Sequence, residues 1–292
     1  MSPLAHVPPV GIGHLTMLDV APPDLVAVAH EARFDAVGIR VATASPVEEA
    51  WPMQPGSPML RETRRRLDDT GLRALDVEII RMTPATDPAG YGALFEAGAE
   101  LGASFVNVLA DDPDFARARD NFAVLAAEAG HFGLRPVLEA MIYTRVRNLD
   151  DACRIVGRSG GGVTVDPLHL RRFGGIPAQL RTIDRALLLY YQLCDAPLAP
   201  PTGLPRPRRL ARGQSLDIDD MALEARAARL LPGDGELPLA EIVAAMPPDI
   251  PVSVEAPNQL MFEELGALEF ARRARRSIDG LIDTAGARGR GR

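Results

Sequence analysis

RPVLEAM, residues 135–141, is a short aliphatic run that carries a carboxylate, Glu139, and runs of the same kind recur three more times in the second half of the chain. GVTVDPLH (162–169) carries Asp166, LLLYYQLCD (187–195) carries Gln192, and PVSVEAP (251–257) carries Glu255. Stretches of this length and composition bury a parallel strand on both faces, where a carboxylate is costly unless something neutralises it. Three carboxylates and an amide, brought together, would hold a divalent metal.

Four further runs precede these: VGIGHL (10–15), FDAVGIRV (34–41), LRALDVEII (72–80) and ASFVNVLA (103–110). Amphipathic segments lie between them, among them PPDLVAVAHEA, SPMLRETRRRLDDTG and NFAVLAAEAGHFG, several closed by a helix-terminating glycine. Strict alternation of strand and helix with short turns implies a parallel sheet. Eight repeats match the (β/α)8 TIM barrel, an α/β fold of about 250 residues, and the chain has 292. The doubly wound alternative would place a glycine-rich phosphate turn after the first strand, but GIGHLTML has no GxGxxG pattern. A single barrel domain over residues 8–283 follows, with a disordered basic tail at 284–292. In such a barrel the C-terminal strand ends ring the active mouth, so Glu139, Asp166, Gln192 and Glu255 converge from strands five to eight.

One connection is unlike the others. Residues 196–236, after strand seven, form a long insertion on the active face, Pro- and Arg-rich at first and helical over LDIDDMALEARAARLL. Arg226 and Arg229 fall three apart on that helix, where they share a face; they could meet an anionic substrate group or form a solvated arginine surface. Long loops of this kind act as lids or as subunit contacts.

The formal charge of −7 and pI near 5.3 argue against nucleic acid or an acidic membrane surface as partner, leaving a small molecule. MSPLAHVPPVGIGH lacks the basic region and apolar run of a signal peptide, so the expectation is a cytoplasmic protein with its two cysteines, Cys153 and Cys194, reduced. All 32 basic residues are arginine. Without lysine there is no Schiff base, no pyridoxal-phosphate anchor and no phosphate-loop lysine.

LEAM, VDPLHLRRFGG, YQLCDAP, LLPGDGELPL and SVEAP, in that order, resemble the sugar phosphate isomerase/epimerase superfamily, the xylose-isomerase-like barrels, over roughly residues 8–275. The resemblance implies metal ligands at Glu139, Asp166, Gln192 and Glu255, binding Mn²⁺ or Mg²⁺ with Co²⁺ or Zn²⁺ as substitutes. It implies catalysis by Glu139 and Glu255 on opposite faces of the substrate, with His169 of the DxxH motif beside the substrate oxygens. Arg172 matches a recurrent arginine of the same motif, and His14 and Arg40, at the ends of strands one and two, are further substrate-side candidates. Arg40 and Glu78 could equally form an ion pair inside the barrel.

The implied activity is a metal-dependent sugar (phosphate) isomerase or epimerase, abstracting a proton next to a carbonyl polarised by the ion and passing through an enediolate. Many relatives have histidine where this chain has Gln192, whereas 3-dehydroshikimate dehydratases have glutamine; a lyase of the 3-dehydroshikimate or inosose type is therefore the alternative. The trinuclear zinc nuclease of the superfamily, endonuclease IV, needs more histidines than the five present. Barrels of this family often form homo-oligomers, dimers or tetramers.

Overall fold

A computed structural model describes residues 8–289, with side chains through residue 282. Eight parallel strands form the barrel: β1 (Val10–Ile12), β2 (Ala36–Arg40), β3 (Arg73–Met82), β4 (Phe105–Ala110), β5 (Arg135–Glu139), β6 (Gly162–Thr164), β7 (Tyr191–Leu193) and β8 (Val252–Val254). Their order, β6-β5-β4-β3-β2-β1-β8-β7, leaves one seam, between β6 and β7. A parallel bridge from Val163 to Leu188 and the hydrogen bond from the Gln192 amide to Val165 O, 2.9 Å, draw that seam together. The fold is the expected (β/α)8 barrel. The seventh run is strand only at its centre, because residues 185–187 turn as a 3-10 helix.

Helices form where the sequence supplies starts and stops. Ser57 caps the helix Pro58–Thr70 by accepting from the Leu60 amide at 3.2 Å, and Gly71 ends it at φ 72, a conformation that favours glycine. Leu60 and Leu67 of that helix join Leu25 and Val26 of the helix Pro22–Glu31 in the main apolar layer between sheet and helices.

Strand alternation decides what points where. Leu138, Val163, Val165, Tyr191, Leu193, Val252 and Val254 belong to that outer layer. Their neighbours one residue along, Val137 and Glu139, Thr164 and Asp166, Tyr190 and Gln192, Ser253 and Glu255, therefore face the barrel interior. A separate apolar cluster of Ala36, Leu75, Val137 and Tyr190 fills the interior floor. The runs are thus apolar outward throughout, and inward they turn from apolar to polar toward the mouth.

The insertion differs from its expected form. Its helix is confined to Asp220–Ala227, so Arg229 lies beyond it. There the Arg229 amide donates to Pro257 O at 3.0 Å, and Leu230 pairs antiparallel with Asp195. Bonding to the segments that follow β7 and β8 replaces the last helical turn. The C-terminal helix runs Gln259–Gly289, into the segment expected to be disordered; residues 290–292 lie outside the described ones, as does His6. Among the described residues no helix is long and apolar enough to cross a membrane.

Candidate active site

The DPLH motif is a helix start. Asp166 is the N-cap of the helix Pro167–Arg172: its Oδ1 accepts from the His169 amide at 3.1 Å, with Pro167 at the first helical position, where a missing N–H costs nothing. The three-residue spacing from Asp166 to His169 is the spacing from cap to third residue. It folds the imidazole back over the carboxylate, and Glu139, Asp166 and His169 each bring a donor atom within 4.8 Å of the others'. All three are at most 3% exposed.

Glu255 joins this group through an arginine. Arg229 is fully buried; its Nη1 donates to Asp166 Oδ2 at 2.5 Å and to Glu255 O at 2.9 Å, and stands 3.4 Å from Glu255 Oε2. Its Nε donates to Ala225 O at 2.8 Å, which leaves Nη2 without a partner. Gln192, 2% exposed, projects inward from β7. The four residues expected as ligands therefore lie on the inner side of β5 to β8 at the same end of the barrel.

Burial shifts their protonation. Glu139 is pushed up to about 8 by desolvation and by repulsion from Asp166, against the pull of Arg229 and the Asn107 hydrogen bond. Glu255 rises well above the usual carboxylate range, again through burial and then through Glu139. Burial also raises Asp166, but Arg229, His169 and the cap hydrogen bonds outweigh it and hold that carboxyl low. Desolvation lowers His169 to about 4, so its imidazole is neutral and the 3.8 Å approach of Nε2 to Glu139 Oε1 is not an ion pair.

A divalent cation fits this set. Burial makes Glu139 and Glu255 hold their protons in the absence of a cation; ionised, the three acids would exceed the single countercharge of Arg229 by two, the charge of a divalent ion. Glu139 Oε1, Gln192 Oε1 and Glu255 Oε2 are each buried without a hydrogen-bond partner, an arrangement that costs stability unless a cation satisfies them. Asp166 has both oxygens engaged, but each carboxylate oxygen offers a second lone pair.

The other sequence candidates are held elsewhere. His14 is buried with both ring nitrogens used: Nδ1 accepts from the Arg40 amide at 2.9 Å and Nε2 donates to Val20 O at 2.8 Å. Desolvation lowers it to about 3, so it is a neutral structural histidine rather than a free substrate donor. Arg40, also buried, sits 3.4 Å from Glu48 and 3.5 Å from Glu78, the internal ion pair that was the other reading of its position. Arg172 is turned away from the carboxylates: Nε donates to Glu224 Oε2 at 2.8 Å, Nη2 to Glu224 Oε1 at 2.6 Å and to Pro197 O at 3.0 Å. It fastens the insertion.

Three interior residues escaped the sequence reading. Asn107 Nδ2 donates to Glu139 Oε2 at 3.1 Å and to Tyr190 Oη at 3.4 Å, and Tyr190 Oη donates to Asp76 Oδ2 at 2.8 Å. Counting by twos inward along β4 and β7 would have found Asn107 and Tyr190. Asp76, ordinarily 3.8, is pushed up to about 7, by burial first and by Glu78 second. Between about pH 4 and pH 7 the unfolded chain releases this proton while the folded chain keeps it, so this group makes stability fall as pH rises. Asp76→Asn keeps an oxygen for Tyr190 and removes the titration. Urea midpoints measured at about pH 4 and pH 7 should show a shallower decline in the variant; an unaltered slope would refute the assignment.

The insertion spans the mouth of its own barrel. Arg209 pairs with Asp19 at 2.8 Å, the Arg212 guanidinium stacks on Trp51 at 3.8 Å, and Gln214 Nε2 donates to Glu48 Oε2 at 3.1 Å. Arg226 lies over Tyr143, 5.4 Å from the ring centroid, and Tyr143 in turn meets His169 edge-on at 5.5 Å. At the insertion's far end Asp195 gathers the LPGDGELP loop, accepting from the amides of Gly233 at 3.0 Å and Leu237 at 2.9 Å. A Cβ on Gly235 would come within 2.4 Å of Asp195 Oδ1, so the loop closes only around glycine there.

No family model matches the chain, and no curated protein matches it. Solved structures do. A xylose isomerase-like TIM barrel/4-hydroxyphenylpyruvate dioxygenase fusion protein aligns over 97% of this chain with TM-score 0.74 and 22% identity, the chain spanning 44% of that protein. The IolI protein with a bound zinc atom aligns over 95% of this chain and 99% of its own, at TM-score 0.71 and 15% identity. D-allulose 3-epimerase from Methylomonas sp., in complex with D-allulose, aligns over 94% and 97%, at 0.62 and 14%. The fold is that of the xylose-isomerase-like barrels.

Proposed function

We propose that this protein is a divalent-metal-dependent isomerase or epimerase of a small hydroxyketone sugar, working by proton transfer at the carbon next to the carbonyl. The observation that carries the reading is a trio of buried oxygens without hydrogen-bond partners, on Glu139, Gln192 and Glu255, converging beside Asp166. The zinc in IolI and the D-allulose bound to the Methylomonas epimerase lend support from the same fold.

Glu139, Asp166, Gln192 and Glu255 would hold the ion, and their hard oxygen donors favour Mn²⁺ or Mg²⁺. When bound, such an ion supplies positive charge that returns both glutamates to their ionised form and a Lewis acid for the substrate carbonyl. Glu139 and Glu255 come from strands on opposite sides of Asp166 and Gln192, so one can remove the α-proton and the other return it. Arg229 Nη2 and the one N–H of the neutral His169 ring, whose nitrogens are buried and unpartnered, would donate to the substrate oxygens on which charge develops. Asn107 fixes one oxygen of Glu139 and leaves the other free.

Deuterium uptake from D₂O, followed by mass spectrometry over a panel of ketoses and cyclic hydroxyketones, tests the reading. Mn²⁺-loaded protein should label at least one substrate at the α-carbon, and chelation with EDTA should abolish labelling. Labelling that survives complete metal removal, or none across the panel, would refute the proposal. Loss of water with an unsaturated product would reassign the site to a dehydratase.

A further inference from the structure

A cleft lies under the insertion, lined by Arg40, Arg81, Arg226, Glu48, Gln214 and Tyr143. Three of its cations face one acid within the lining, and their partners decide which is available. Arg40 is buried between Glu48 and Glu78, and Arg81 Nη2 donates to Asp111 Oδ2 at 2.7 Å. Arg226 has neither an ion pair nor a hydrogen bond among the described residues; it rests only on the face of Tyr143. A cation–π contact takes none of the N–H donors of a guanidinium, which stay free for a planar or tetrahedral oxyanion.

Position makes the surplus cation pertinent to the reaction. Tyr143 meets His169 at a near-perpendicular angle and has Arg226 over its face, so Arg226 stands one aromatic ring away from the histidine beside Glu139. We infer that the substrate carries an anionic group, a carboxylate or a phosphate monoester, which seats against Arg226 in the cleft that Arg81 also lines, while its hydroxyketone end reaches the glutamates. This deepens the isomerase/epimerase reading and rests on it for the hydroxyketone end alone. The recognition is charge-assisted and partly desolvated, the setting in which such hydrogen bonds are strongest.

Titration calorimetry of the Mn²⁺-loaded protein with D-fructose, D-fructose 6-phosphate and 5-keto-D-gluconate tests it with one neutral, one phosphorylated and one carboxylated ketose. At least one anionic ketose should bind about tenfold or more tightly than fructose. Arg226→Met should bring that ratio close to one, and Arg226→Gln provides the same readout should the methionine variant not fold. Which of the two anions gains more identifies the group. Equal binding of all three, no binding by either anion, or an undiminished ratio in both variants would overturn the inference. Anion preference without deuterium uptake by any ketose would instead leave the anion subsite standing and refute the isomerase/epimerase reading.

Discussion

Glu139→Gln and Glu255→Gln are each expected to cut deuterium uptake at the substrate α-carbon by roughly a thousandfold, within the range set by losing one positioned acid or base. Because the two would hold one ion and serve the same carbon, the double variant should be little worse than either single one. Stability should move differently. Glu139 is pushed up to about 8 and so is neutral in the metal-free protein at neutral pH, where a glutamine of the same shape replaces it with no charge to lose. The metal-free urea midpoint of Glu139→Gln should therefore match or exceed that of the unmodified chain. Uptake within tenfold of the parent in Glu255→Gln would remove that residue from the mechanism.

Arg229→Met should have the largest effect on folding. The side chain is fully buried and bridges Asp166 and Glu255, so its loss leaves the Asp166 carboxylate, which it holds ionised, buried without that countercharge. Removing one partner of a buried pair costs roughly 3–5 kcal/mol, a large part of a typical domain's stability. Urea unfolding of metal-free protein reads this directly. Mn²⁺ should restore part of the loss, since a ligand bound only by the folded state stabilises it. An unchanged midpoint without metal would mean that the arginine does not bridge the acids.

The fold was legible because outward-facing valines and leucines recur in eight short runs, a pattern that depends only on local alternation. The four polar residues of β5 to β8 were legible for the same reason: each interrupts such a run on its inner side. Arg229 was not, because its acidic partners lie 63 and 26 positions away and its backbone leaves the helix to pair with residues after β7 and β8. A helical face was the best local description of ARAARLL, and long-range pairing overrode it. His14 shows the reverse failure. Its place at a strand end suggested the mouth, yet a nearby carbonyl at Val20 and the amide of Arg40 take both nitrogens. Asn107, Tyr190 and Asp76 went unseen because isolated polar residues in strands carry no motif, only a register.

The insertion is fastened at several points along its length. Asp195 holds its exit loop, Glu224 is tied to Arg172, and Arg209 and Arg212 are moored at Asp19 and Trp51. None of these fastenings uses Glu139, Gln192 or the side chain of Glu255. Residues 196–228, which stop short of Arg229, can thus be exchanged as a cassette, with the anchoring pairs kept and Arg226 varied. With the anion seat inferred at Arg226, substrate choice would then vary independently of the carboxylates beneath it.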